Sequence, residues 1–105
     1  MTNTYEIGHV IYVAHTDMKH GVRPSIVMGE TEDHLMVMPL SSSNNWMGRC
    51  SYVRSAQGCN ARGWCAPNRV TYIHKQDAPA PAGAVSWDSV MGAWDDHEEY
   101  LAWLG

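Results

Sequence analysis

Four ionisable side chains, Asp17, Lys19, His20 and Arg23, fall within seven residues of one polar segment that ends Gly21-Val22-Arg23-Pro24. A guanidinium presents a fixed fork of donors that grips an oxyanion bidentately and stays charged at any working pH. An imidazole titrates near neutrality and moves protons, and a neighbouring carboxylate does the same at lower pH. Ser41 and Ser42 offer hydroxyls that can donate to the same kind of oxygen. Each group also has an ordinary alternative: Arg23 paired with Asp17, His20 as a solvated surface residue, the serines as turn formers.

The flanking sequence says what must hold these groups in place. Three apolar runs, His9–Ala14, Ile26–Gly29 and Leu35–Leu40, are short, rich in Val, Ile, Met or Tyr, and bounded by Gly, Pro or Asp. They predict strand, loop, strand, turn (Glu30-Thr31-Glu32-Asp33) and strand. A charged loop between two buried strands marks a site more than a spacer. Cys50–Arg54, Trp64–Ala66 and Val70–His74 are further strand candidates, with a long Gly- and Asn-containing loop over Ser55–Gly63. Residues 76–84, with Pro79 and Pro81, predict an extended connector. A helix is expected over 86–104, with Ser86 as N-cap, Asp88 in the first turn and Gly105 closing the end. Its apolar stripe is expected from Trp87, Val90, Met91, Trp94, Leu101 and Leu104, with the acidic residues facing outward. These patterns predict a mostly β chain, a small SH3-like antiparallel barrel with a C-terminal helix, in one domain over residues 1–105.

The net charge of −4 conceals an uneven distribution. From Ser41 to Lys75 there are five basic residues (Arg49, Arg54, Arg62, Arg69, Lys75) and no acidic one; from Gln76 onward there are six acidic residues and no Lys or Arg. Two readings follow: the basic sector binds a polyanion locally, or the two sectors neutralise one another across the fold. Trp46 and Trp64 lie beside Arg49 and Arg62 in sequence, where indole faces can stack single-stranded bases or simply fill a core that has no Phe. No run approaches the length of a membrane-spanning helix and no secretory signal is visible, so neither a helical span nor export is expected. An odd set of three cysteines suits reduced thiols in a cytoplasm. Cys50-x8-Cys59-x5-Cys65 has the first spacings of a CCCH zinc finger, but Arg69 stands where the fourth ligand belongs, so no metal site is expected.

Gly8, Gly21, Arg23, Pro24, Pro39, Ser41 and Ser42 occur in an order and at spacings that resemble the opening half of the MazF/PemK (Kid-like) toxin family. The resemblance implies an SH3-like barrel that cuts single-stranded RNA by internal transesterification without metal or cofactor, leaving a cyclic phosphate and a 5′-hydroxyl. It places Arg23 on the scissile phosphate, with Ser41 and Ser42 near it. His20 or Asp17 would handle protons, because Met18 stands where the family usually has a Glu. Lys19, Trp46, Arg49, Arg62, Trp64 and Arg69 would line the RNA path. A homodimer and an antitoxin partner are further implications. The second half departs from the pattern: Trp64 and Ala66 flank Cys65 where some members carry an Arg and an Asp. That departure keeps open a barrel of the same kind that binds a host protein without chemistry, as CcdB-like toxins do.

Overall fold

A computed structural model describes residues 3–14, 21–44 and 49–105. Asp17, Lys19, His20 and Trp46 lie outside the described residues. Seven strands form a curled antiparallel sheet: β1 (His9–Ala14), β2 (Val22–Glu30), β3 (His34–Ser41), β4 (Tyr52–Val53), β5 (Gly63–Cys65), β6 (Thr71–His74) and β7 (Gly83–Ala84), followed by the helix α1 (Trp87–Leu104). The fold is therefore mostly β with one C-terminal helix, as the apolar runs and the helical tail predict.

The central strands read as nearly continuous apolar runs because both of their faces are covered. Val10, Ile26, Met38 and Leu40 pack with Val53, Cys65, Val90 and Ala93 on the helix side. Ile11, Val27, Leu35 and Val37 pack with Tyr5 and Ala78 on the other. Tyr5 closes that second cluster by donating its hydroxyl to the carbonyls of Ala78 and Pro79 at 3.0 and 2.9 Å. A bulge between Val27 and Gly29 shifts the β2–β3 register, which bends the strand around the core.

The strand β2 begins at Val22, four residues earlier than the apolar run indicates, so Arg23 and Pro24 sit inside a strand opposite Val13 and Tyr12. Pairing of β2 with β3 runs from Glu30↔Leu35 to Ser25↔Pro39 and stops there. Pro24 and Pro39 have no N–H to give a ladder, and the β2–β3 pairing ends beside them. Beyond that point β3 pairs instead with β5, through Leu40↔Cys65 and Ser41↔Trp64. Further back, the same edge of β3 carries β6.

Two expectations need correction. The connector over 76–84 is not extended throughout: Lys75–Asp77 forms a single 3-10 turn, and Gly83–Ala84 pairs with Val10 and His9 as β7. Gly83 permits this because any Cβ there would run into the carbonyl of Gln57. The helix also presents a different face from the one expected. Val90, Ala93 and Asp96 are buried, whereas Trp87, Met91, Leu101 and Leu104 are half or more exposed. Asp96 turns inward because its carboxylate accepts the Ser51 N–H at 2.6 Å, a backbone donor that β4 leaves unpaired. The N-cap is as expected, with Ser86 Oγ accepting from the Ser89 N–H at 3.2 Å. Gly105 N–H closes the far end on the Leu101 carbonyl at 3.0 Å. Among the described residues no helix is long and apolar enough to cross a membrane.

Candidate functional site

Strand alternation decides which side chains share a face near the Pro24–Pro39 parting. Ile26 and Leu40 point into the helix-side core, so Arg23 and Ser41, each an odd number of residues away along its strand, point to the opposite face. Ser41 is paired with Trp64, and Trp64 with Tyr52, so these three side chains share that face as well. The rings of Tyr52 and Trp64 meet edge to face with centroids 4.8 Å apart. Arg54, just beyond β4, lines an open depression together with Tyr52.

Arg23 is half-buried, and its Nε is fully buried with no hydrogen-bond partner among the described residues. A buried donor of a cationic group is costly to leave unmade, on the order of 1–3 kcal/mol. Among the described residues one other buried side-chain nitrogen shares that condition, Nδ1 of His97 on α1. Burial lowers the His97 pKa and favours the neutral ring, in which each nitrogen is a donor or an acceptor according to the tautomer. Arg23 Nε is always a donor, so the two cases differ in kind.

Around Arg23 the polar groups are occupied with one another. Ser25 Oγ donates to the Arg23 carbonyl at 3.3 Å. Ser41 is buried, and its Oγ accepts the Ser43 N–H at 3.2 Å, which leaves the hydroxyl proton for another acceptor. Ser42 is exposed at the end of β3. Gly63 holds the crossing of β5 over this point: its φ is +143°, and a Cβ there would stand 2.7 Å from the Ser41 carbonyl oxygen. On the opposite face of β1, Tyr12 hydrogen-bonds Cys59, and burial together with Cys59 pushes its hydroxyl pKa up, which keeps it protonated and makes it a weaker acid.

The other predicted residues are dispersed. Arg62 and Arg54 line one open depression of about 480 Å³ with Ser55, Ala56, Cys59 and Asn60. Arg69 is exposed at the end of the 3-10 turn Pro67–Arg69. Arg49 donates to the Glu99 carboxylate at 3.0 Å, so at this position the basic and acidic sectors do neutralise one another. Ala66 is buried, and neither it nor Trp64 carries a proton-transfer group. Cys50 and Cys65 are buried, Cys59 is half-buried, and none is in a disulfide. Burial, Asp96 and Cys50 push the Cys65 thiol to about 12, which keeps it protonated. Tyr52 was not singled out from sequence. Its signal was its place in a short strand one residue before the apolar Val53, which forces it onto the face of Trp64.

No protein-family model matches the chain, and no curated protein matches it in sequence. The crystal structure of MazE–MazF (form II) from Deinococcus radiodurans does contain a similar chain. The two superpose with a TM-score of 0.68 at 13% identity, over 92% of this chain and 94% of that one. The fold is MazF-like. At that identity the likeness speaks for the architecture, and the side chains on it must be judged by their own geometry.

Proposed function

We propose that this chain is a toxin-type endoribonuclease that cuts single-stranded RNA without metal, with Arg23 holding the scissile phosphate. The observation that carries the reading is the buried, partnerless Nε of Arg23 on the face shared with Ser41. A phosphate oxygen supplies the missing acceptor, and the Ser41 hydroxyl can donate to a second oxygen. Tyr52 and Trp64 then offer ring surface for flanking bases, a contact worth roughly 1–3 kcal/mol per base. His20 and Asp17 are the proposed proton carriers. They belong to the segment that joins Ala14 to Gly21, and Ala14 pairs with Val22 next to Arg23. The 2′-hydroxyl, once deprotonated, attacks the adjacent phosphorus; the P–O5′ bond breaks, and the leaving oxygen takes up a proton.

The MazE–MazF neighbour motivates an antitoxin partner, and the sequence resemblance adds a homodimer acting in the cytoplasm. Trp87, Met91, Leu101, Trp103 and Leu104 are exposed apolar residues of α1 suited to such contacts. Lys19, Ser42, Trp46, Arg62 and Arg69 remain the proposed RNA contacts, joined by Tyr52 and Arg54. Arg49 contributes less, since Glu99 already engages it.

A second reading rests on Trp64 and Ala66: with no proton-transfer group on β5, the barrel would bind a host protein instead of cutting RNA. Purified protein incubated with single-stranded RNA in EDTA separates the two. The nuclease reading expects cleavage that is lost in a folded Arg23→Ala variant. Growth arrest on expression with RNA left intact supports the protein-binding reading.

A further inference from the structure

At the far end of β2 and β3, about 20 Å along the strands from Arg23, a second cluster of chemistry-bearing side chains has no part in the proposed reaction. The β3–β6 register sets His34 directly opposite His74, with ring centroids 4.3 Å apart. Asp33 places Oδ1 2.8 Å from Nδ1 of His34. One ligand-capable atom from each of the three lies within 4.8 Å of the others. The backbone beneath them is tied down. Thr31 N–H donates to the His34 carbonyl at 2.9 Å, and His34 N–H donates to Thr31 Oγ1 at 3.0 Å. Lys75 N–H reaches the Asp33 carbonyl at 2.8 Å, which fastens the turn to the end of β6.

We propose that Asp33, His34 and His74 form a binding site for a borderline divalent cation of the zinc class. Two imidazoles and one carboxylate are the donors that zinc takes, and a tetrahedral ion with bonds of about 2.0–2.1 Å wants them roughly 3.4 Å apart. Rotation of these exposed or half-buried side chains closes that gap without moving the strands. His74 makes no side-chain hydrogen bond among the described residues, so its ring is not committed to another task. Asp33 and His74 open onto a depression of about 380 Å³ that Glu32 and Glu30 also line, which adds negative charge around a cation and leaves room for water as a fourth ligand. Glu30 itself is engaged by Lys75 Nζ at 2.9 Å. The site stands apart from the nuclease reading, and its role is to pin the β2–β3 hairpin to β6.

The test uses the intact chain and zinc ion itself, in competition with a chromophoric chelator. One equivalent should bind and raise the melting temperature. His34→Asn and His74→Asn should each weaken binding at least tenfold, and Asp33→Asn by less, with circular dichroism confirming that each variant folds. With Co²⁺ as the probe, visible d–d bands without a thiolate charge-transfer band are expected, and Cys59→Ser should change nothing. Absence of binding by the unmodified chain overturns the proposal. So does binding that survives the His34→Asn/His74→Asn pair, or a thiolate band that moves the metal to the cysteines. RNA cleavage in EDTA is unaffected by any of these results.

Discussion

The two ends of the β2–β3 ladder handle their polar groups in opposite ways. At the hairpin end, Thr31, Asp33, His34 and Glu30 bond one another or Lys75 at the end of β6, at 2.8–3.0 Å. The hydrogen bond from His34 holds the Asp33 carboxyl below its usual pKa. At the other end two prolines part the strands, β3 changes partner, and a guanidinium is left with a buried donor unmatched. Both ends are built from the same pair of strands, so strand pairing alone does not explain the difference. A buried cationic donor left without a partner at the end of a strand marks a place where an outside acceptor fits.

Substitutions can sharpen that contrast, beginning with the parted end. Gly63→Ala should cost about 3 kcal/mol or more, because a side chain at positive φ is strained and its Cβ meets the Ser41 carbonyl. Chemical denaturation measures it, and RNA cleavage at low temperature should fall too, since Ser41 must shift. A fully stable, fully active variant would show that β5 does not brace this end.

Asp96 comes next, as the group that fastens β4 and with it Tyr52. Asp96→Ala strands the Ser51 N–H and should cost about 1–3 kcal/mol. Asp96→Asn keeps an acceptor and removes a charge whose pKa is raised, chiefly by burial. A raised folded-state pKa stabilises below the unfolded-state value and loses that contribution as pH rises through the folded one. Asp96→Asn should therefore be at least as stable as the parent near neutrality, with its advantage shrinking as pH falls toward about 4. Melting curves across that range check the sign.

At the hairpin end the effects should be smaller and purely structural. Thr31→Ala removes the acceptor for the His34 N–H and should cost about 1 kcal/mol, with RNA cleavage unchanged. Arg49→Ala breaks an exposed pair with Glu99 and should cost under about 1 kcal/mol. If Arg49→Ala instead abolished cleavage, the assignment of this residue to charge neutralisation would fail.

Much of this architecture was legible in the sequence, and the reasons are local. The runs around Val10, Ile26 and Val37, the Glu30–Asp33 turn and the Ser86 cap are set by apolar patterning and turn chemistry, which act within a few residues. The resemblance carried by Gly21, Arg23, Pro24, Pro39 and Ser41 led to the fold that the MazF neighbour shares. What was not legible depends on contacts distant in sequence. Asp96 looked like an outward acidic residue until Ser51, 45 positions away, supplied its reason to turn in. Gly83–Ala84 looked like linker because its partner strand lies at the start of the chain. His34 and His74 are far apart in sequence, and only the β3–β6 register brings them together. Of the candidate site, Arg23 and Ser41 were named from the sequence and strand alternation sets them on one face, whereas Tyr52 emerged only from the pairing of β4 with β5.

The central claim, that the Arg23 guanidinium is held ready for a ribose-phosphate backbone, is tested most directly by binding without chemistry. A short single-stranded RNA with 2′-O-methyl groups cannot be cut, and the Nε–H resonance of Arg23 can be followed while it is added. The account predicts a saturable shift of that resonance and at least a tenfold loss of affinity in Arg23→Ala, with the salt dependence of binding shallower by about one charge. Equal affinity in a folded Arg23→Ala protein, with the Nε–H signal unmoved in the parent, would contradict it.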